Sequence, residues 1–278
     1  MNLIYTELND FLHALIREDI GTGDITTNAC VPEDATATGR FIAKDSGILY
    51  GLSCAIELFG LIDPKVTIVP KNDDGDLINS GDVIAQIYGP ARGILSGERI
   101  ALNLMGHLSG VATKTAEYEN VVAGAKVHIR DTRKTTPGMR VLEKLAVRVG
   151  GGSNHRFNLS DGILIKDNHI KAAGGIANAV AKMKQNNPNN YKIEVETESL
   201  NEVQQALDAG ADMIMFDNMS INTMAEAVKL VNGRALTEAS GGMSDRDLKE
   251  VAATGVDFIS IGGTTHSVKW IDISLNFD

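Results

Sequence analysis

Residues Lys192–Asn218 read KIEVETESLNEVQQALDAGADMIMFDN. A strand-length apolar run ends in acids, a helical pattern follows, and a second apolar run ends in Asp-Asn. That is a βα unit feeding the next strand, and its repetition builds a parallel sheet or barrel. The layout recurs on both sides of it. KVHI leads into RDTRK, ILI into KDN, RALTE into ASGG and DFISI into GGTTHS. In (β/α) barrels the functional groups sit at the C-terminal ends of strands, where each of these runs places a charge, a hydroxyl or glycines. The repeats occupy the stretch from Lys126 to Ser267, short of the ~250 residues of a complete eight-fold barrel. An open, incomplete barrel is the expectation.

Upstream the pattern changes. Leu8, Phe11, Leu12, Leu15 and Ile16 recur at helical spacing and predict a helix over 6–18. EDIGTGDITT (18–27) reads as a connecting loop with capping hydroxyls. TATGRFIAK, GILYGL, VTIVPK and DVIAQIYG are short β-type runs, interrupted by one helix, CAIELFGLI (54–62). They predict a small β-rich domain. A helix should follow from Ser96, with Ser96 as its cap and Glu98 in its first turn. Arg99 in that same turn is misplaced for a cation and implies a partner elsewhere.

The 278-residue chain carries a net charge of −10, which argues against duplex or membrane-surface binding. No apolar run reaches the ~18 residues of a membrane span, and the acidic N-terminus lacks a signal-peptide pattern. Cys30 and Cys54 offer no metal or disulfide framework, which suits a reducing cytoplasm.

Against this acidic background, Lys126–Lys171 holds ten Lys/Arg and four Asp/Glu, a local excess of +6. Such an excess predicts a small polyanion held in one place. Arg133 offers a bidentate fork to a carboxylate or phosphate, and Lys134 a mobile point charge. GGGSNHR (150–156) pairs a glycine run, able to approach a ligand closely, with His155 and Arg156. Lys166, ending a strand, could be a Schiff-base nucleophile or an anion contact, and the surrounding cations favour the contact. Glu196 and Asp217 end successive strands. They could bind ribose hydroxyls, hold Mg²⁺ through water, or stabilise positive charge in a transition state. Ser240-Gly241-Gly242 and Gly262-Gly263 follow the last two repeats, where barrels commonly bind phosphate. The combination points to glycosyl transfer on a phosphorylated ribose.

SGERIALN, DTRKTTPGMRVLEKLAVRVGGGSNHR, DGILIKDNHI, IEVETESL, MFDNM, EASGGM and DISL, in this order, closely resemble the quinolinate phosphoribosyltransferase family. The resemblance implies an α/β-sandwich domain (1–108) completed by a C-terminal tail at about 268–278, on an open α/β barrel (109–267). It implies transfer from phosphoribosyl pyrophosphate to quinolinate with decarboxylation, giving nicotinate mononucleotide, pyrophosphate and CO₂ on the route to NAD. Mg²⁺ would accompany the donor. A homodimer or larger assembly is also implied, with Arg99 entering the neighbouring site. By position, Arg133, His155, Arg156 and Arg99 should hold the carboxylates, with Thr132 beside them. Lys134 and Lys166 should lie between acid and donor. Glu196 and Asp217 should face the ribose, and Ser240, Gly241, Gly242, Gly262 and Gly263 its 5′-phosphate. Lys134, Glu196 and Asp217 are the expected catalytic groups. Two positions depart from the family pattern: His107 stands where arginine is frequent, and Gly263-Thr264 where Ala-Leu is common. The competing readings are a relative acting on another heteroaromatic acid, a Schiff-base lyase using Lys166, and a sugar-phosphate sensor without turnover.

Overall fold

The computed structural model describes residues 2–278, with side chains from residue 8 onward. In chain order the elements are α1 (Asn2–Asp19), α2 (Ile25–Cys30), β1 (Thr36–Ala43), β2 (Gly47–Ile48), α3 (Leu52–Ile62), β3 (Thr67–Pro70), β4 (Leu77–Ile78), β5 (Val83–Pro90) and α4 (Ala91–Val121). Then come β6 (His128–Arg130), α5 (Arg140–Val149), β7 (Ile163–Ile165), α6 (Asp167–Ala173), α7 (Ile176–Gln185), β8 (Ile193–Thr197) and α8 (Leu200–Ala209). The chain ends with β9 (Met213–Asp217), α9 (Ile221–Val231), β10 (Leu236–Ser240), α10 (Leu248–Ala253), β11 (Phe258–Ser260), α11 (Gly263–His266) and β12 (Ile273–Phe277).

Two compact units emerge. The first comprises 1–114, 137–150 and 268–278, the second 115–136 and 151–267. A single cut near residue 108 misses one feature: α5, embedded in the barrel sequence, belongs to the first unit.

In the first unit an antiparallel sheet runs β12-β1-β5-β3. The C-terminal strand lies at the edge, pairing Phe41 with Leu275. Phe41, Ala43, Ala85 and Ile87 from the sheet pack with Leu58 and Phe59 of α3, Ile94, Met105 and Leu108 of α4, and Leu142, Ala146 and Val147 of α5. Alternation of buried and open positions along β1 is what a half-covered sheet requires. Glycine seats the tail: a Cβ on Gly106 of α4 would come within 2.9 Å of the Ile271 carbonyl, and the Ile271 N–H donates to the Gly106 carbonyl at 3.0 Å.

Several boundaries differ from the sequence reading. GILYGL is extended only over Gly47–Ile48, because Gly51 takes φ +104° and Asp74 Oδ1 accepts the Leu52 N–H at 2.9 Å, starting α3. The helix expected from Ser96 begins at Ala91, directly after Pro90. Ser96 is therefore an interior residue, and its hydroxyl donates to Asp24 Oδ2 at 3.2 Å. Glu98 and Arg99 are likewise past the first turn. In EDIGTGDITT the cap is a carboxylate: Asp24 accepts Thr27 N–H at 2.9 Å and its hydroxyl at 2.6 Å. These bonds hold the Asp24 carboxyl below its ordinary pKa.

The second unit is a parallel sheet ordered β6-β11-β10-β9-β8-β7. Among the described residues β6 and β7 do not pair with each other, so this barrel is open, as expected. Helix boundaries follow local chemistry. Ser199 accepts the Glu202 N–H to start α8, and Gly210 at φ 75° ends it. Ser220 does the same for α9 through Thr223. Ile129, Ile165, Val195, Ile214, Phe216, Ala239 and Ile259 point away from the sheet axis onto Val180, Val203, Met224, Ala227 and Val251 of the helices. Strand side chains alternate, so the intervening residues face the concave side. That side holds the chemistry.

Candidate active site

The concave side of the second unit opens into a cavity of about 950 Å³. Its wall alternates along the strands: Leu164 and Lys166, Met215 and Asp217, Glu238 and Ser240, Ser260 and Gly262, with Glu196 from β8. Of the expected residues, Thr132, Arg133, Lys134, His155, Arg156, Lys166, Glu196, Asp217, Ser240, Gly241, Gly242, Gly262 and Gly263 all line this cavity.

The loop after β6 is pinned from both ends. Lys134 N–H donates to Thr132 Oγ1 at 3.0 Å, and Thr265 Oγ1 donates to the Lys134 carbonyl at 2.7 Å. The loop bearing His155 and Arg156 is held by Asp131, a fully buried carboxylate. Asp131 accepts Asn154 Nδ2 at 2.5 Å and the His155 N–H at 2.8 Å. Arg156 Nη1 donates to the Gly162 carbonyl at 3.2 Å. Burial first, and then the neighbouring Arg133 charge, weaken Arg156's hold on its proton. The exposed Arg133 and the part-buried Arg156 are near enough to feel each other and put two guanidiniums on one cavity wall.

Lys166 Nζ lies 2.7 Å from Glu196 Oε2. An ammonium nearly half exposed and clamped by a carboxylate is the opposite of a desolvated Schiff-base lysine. Asp217 accepts Asn218 Nδ2 at 2.9 Å. Asn218 takes φ 55° and donates its N–H to the Ser240 carbonyl at 3.0 Å. Gly241 (φ +89°) must be glycine twice over, since its Cβ would meet the Asn218 backbone N at 2.7 Å. The two glycine loops thus present bare backbone to the cavity.

The remaining cations and the glycine run lie as follows. Arg140 and Arg148 lie on α5 in the first unit, where Lys144 is fully buried. Four cations of Lys126–Lys171, Arg133, Lys134, Arg156 and Lys166, reach the cavity. The glycine run at 150–152 does not line it. Gly150 caps α5 and Gly151 (φ +93°) turns the chain into the Arg130–Ser153 bridge. Arg99, expected to enter a neighbouring subunit's site, lines a depression of the first unit with Asp24 and Ser96.

A buried layer beneath the cavity escaped the sequence reading. Arg130 Nη1 contacts Glu238 Oε2 at 2.7 Å, and Ser260 Oγ donates to Glu238 Oε1 at 2.6 Å. His155 Nε2 lies 3.0 Å from Glu194 Oε2 and 3.8 Å from Glu238 Oε1. Burial raises both carboxyls to about 7. The signal was present in the period of two: Glu194 shares a strand face with Glu196, Glu238 with Ser240, and Arg130 with Thr132.

Comparison with known proteins agrees with this geometry. The family model "Quinolinate phosphoribosyl transferase, N-terminal domain" matches residues 24–109, and the corresponding C-terminal domain model matches 111–276. A probable nicotinate-nucleotide pyrophosphorylase (carboxylating) of Bacillus subtilis is 46% identical over 272 residues, covering 98% of this chain and 94% of that protein. A probable counterpart from Synechocystis is 42% identical over 271 residues, covering 96% and 92%. The solved structure of the nicotinate-nucleotide pyrophosphorylase from Francisella tularensis superimposes with a TM-score of 0.94 at 39% identity, covering 98% of this chain and 96% of that one. The chain belongs to the quinolinate phosphoribosyltransferase family.

Proposed function

We propose that the protein transfers the phosphoribosyl group of phosphoribosyl pyrophosphate to quinolinate with decarboxylation, releasing nicotinate mononucleotide, pyrophosphate and CO₂. One observation carries this reading: a single cavity holds the Arg133–Arg156 pair, two strand-end carboxylates and two bare glycine loops. Two guanidiniums match a dicarboxylate, and the glycine loops, after the last two strands, match a 5′-phosphate.

The chemistry follows from charge. As the C1–O bond of the donor breaks and pyrophosphate leaves, C1 becomes oxocarbenium-like, and Glu196 and Asp217 lie where that charge develops. Lys134 and Lys166 attract the departing and arriving anions. The arginines fix the ring so that the pyridine nitrogen forms the new bond to C1. The ring nitrogen is then cationic, so the bond from C2 to its carboxylate can break, with the electron pair held at C2 until a proton is taken up.

Mg²⁺ would supply electrophilic help to the leaving pyrophosphate. Glu196 and Asp217 are the hard oxygen donors it would meet, which suits an ion held by one or two carboxylates plus substrate phosphates. No group of three or more His, Cys, Asp or Glu side chains closes around them among the described residues. The donor itself would therefore hold most of its ligand shell.

The working enzyme is proposed to be a cytoplasmic homodimer or larger assembly in which Arg99 reaches the neighbouring subunit's cavity. Mixing Arg99→Ala subunits with Lys134→Ala subunits should restore part of the activity that each lacks alone. A mixture as inactive as its parents would refute the exchange. The reaction is tested by following CO₂ and nicotinate mononucleotide together from quinolinate, donor and Mg²⁺. Equal yields support the assignment, and neither product from folded protein that binds the donor would sink it. Among the described residues no helix is long and apolar enough to cross a membrane.

A further inference from the structure

The loops after β6 and β11 start side by side and part at the cavity. The Ile261 N–H donates to the Arg130 carbonyl at 2.9 Å, one residue past β11. Beyond that bond one chain runs through Asp131 to Lys134, and the other through Gly262 into α11. The Thr265 side chain reaches from one to the other. Thr265 is 1% exposed and donates its hydroxyl to the Lys134 carbonyl at 2.7 Å, across 131 residues of sequence. An alternative acceptor, the Gly262 carbonyl of its own turn, lies at 3.2 Å. A hydroxyl has one proton to donate, and the shorter contact, at the usual O–H···O distance, takes it.

Lys134 is supported along its backbone and its stem. Its N–H is bound by Thr132 Oγ1 at 3.0 Å and its carbonyl by Thr265. Its stem crosses Gly262, where a Cβ would stand 2.9 Å from His266 Nε2 and 3.2 Å from Lys134 Cδ. Gly262 has an ordinary helical φ of −65°, so what its missing side chain provides is this room. None of these contacts uses the ammonium. Two of the supporting residues, Gly262 and Thr265, belong to the segment after β11 whose glycines face the cavity. We propose that Thr265 is a positioning residue: its hydroxyl ties the Lys134 loop to the phosphate loop, so that a phosphate seated on the glycines sets Lys134 against the departing pyrophosphate.

The inference rests on the reading of Gly262 and Gly263 as a seat for the donor's 5′-phosphate. Thr265 lies behind the cavity wall, whereas Lys134 is part of that wall, so the threonine acts through the lysine. A lysine on a flexible stem serves a transition state only as well as it is placed, and a misplacement of ~1 Å can cost on the order of 100-fold in rate. Lys134 is exposed, so a carbonyl released by Thr265 can turn to water. Removing the hydroxyl therefore costs position rather than fold.

The test combines amide exchange, read by mass spectrometry on the full-length protein with inorganic phosphate, and steady-state kinetics. In the parent, phosphate should slow exchange at 262–266 and at 132–136 together. Thr265→Val keeps the shape and loses the hydroxyl, whereas Thr265→Ser keeps the hydroxyl. In Thr265→Val, phosphate should still protect 262–266 but no longer 132–136. Its kcat should fall roughly 10- to 100-fold, with KM for quinolinate and for the donor within about threefold of the parent. Thr265→Ser should restore the linked protection and return kcat to within about threefold. A parent in which phosphate protects 262–266 alone overturns the inference, whether or not the variant folds. So does a folded Thr265→Val with the parent's kcat, or a Thr265→Ser that falls as far as Thr265→Val, the mark of a packing defect. Phosphate that leaves 262–266 unprotected overturns the phosphate seat and this inference with it.

Discussion

Replacing Glu238 with alanine probes the buried layer through stability. The parent side chain is wholly buried and makes two short contacts, to Arg130 Nη1 at 2.7 Å and from Ser260 Oγ at 2.6 Å. Alanine leaves the guanidinium without its carboxylate, and breaking a buried pair this way typically costs ~3–5 kcal/mol. Two features favour the lower end. The Arg130 side chain keeps 15% exposure and the face of Phe258, and Glu194, freed of Glu238's repulsion, ionises more readily beside it. The expected loss is therefore about 3 kcal/mol. Arg130→Met combined with Glu238→Leu removes both charges and should recover most of it. The assay is urea unfolding followed by far-UV circular dichroism, with amide exchange of β10 and β11 locating the loss. The single tryptophan, Trp270, lies in the first unit and reports that unit separately. A Glu238→Ala protein within about 0.5 kcal/mol of the parent, or a double variant weaker than the single, would refute the buried-pair argument.

Three further outcomes are expected. The folded-state pKa of Glu194, about 7, exceeds its ordinary 4.5, so its contribution to stability is present below 4.5 and lost as pH rises through 7. Melting temperatures should fall over that window in the parent and fall less in Glu194→Gln; parallel curves would contradict the assignment. Gly241→Ala meets both a positive φ and the Asn218 backbone, so KM for the donor should rise at least tenfold while quinolinate binding holds; an unchanged KM for the donor would remove the loop from the phosphate site. Arg156→Lys keeps the charge and loses the fork, which should raise KM for quinolinate roughly 10- to 100-fold with the fold intact; a change below twofold would count against bidentate contact.

Much of the second unit was legible because its strands advertise themselves twice, as apolar runs and as polar residues at their ends. Lys166, Glu196, Asp217, Ser240 and Gly262 all reached the cavity on that logic. Charge counting along the chain was the weaker guide. Arg140, Lys144 and Arg148 lie between Lys134 and His155 in sequence, yet α5 carries them into the first unit. Sequence distance does not reveal such an excursion. The basic and acidic layer of Arg130, Glu194 and Glu238 was missed for a different reason. Glu194 sits inside a strand run, whereas Arg130 and Glu238 were read only as strand-end polar groups, and the register of neighbouring strands brings them together: Ser260 beside Arg130, Glu238 beside Met215, Glu194 beside Met213. Arg99 remains where local helix logic is silent, in a depression of the first unit.

The edge position of β12 has a consequence for synthesis. Phe41 waits for Leu275 to be made before that edge of the first sheet is covered. At ~5–20 residues per second, more than two hundred intervening residues take tens of seconds to emerge. Throughout that interval β1 presents an open row of backbone donors and acceptors, the template on which strands of other chains can add. Residues Ile273–Phe277 thus act as the latch of that edge.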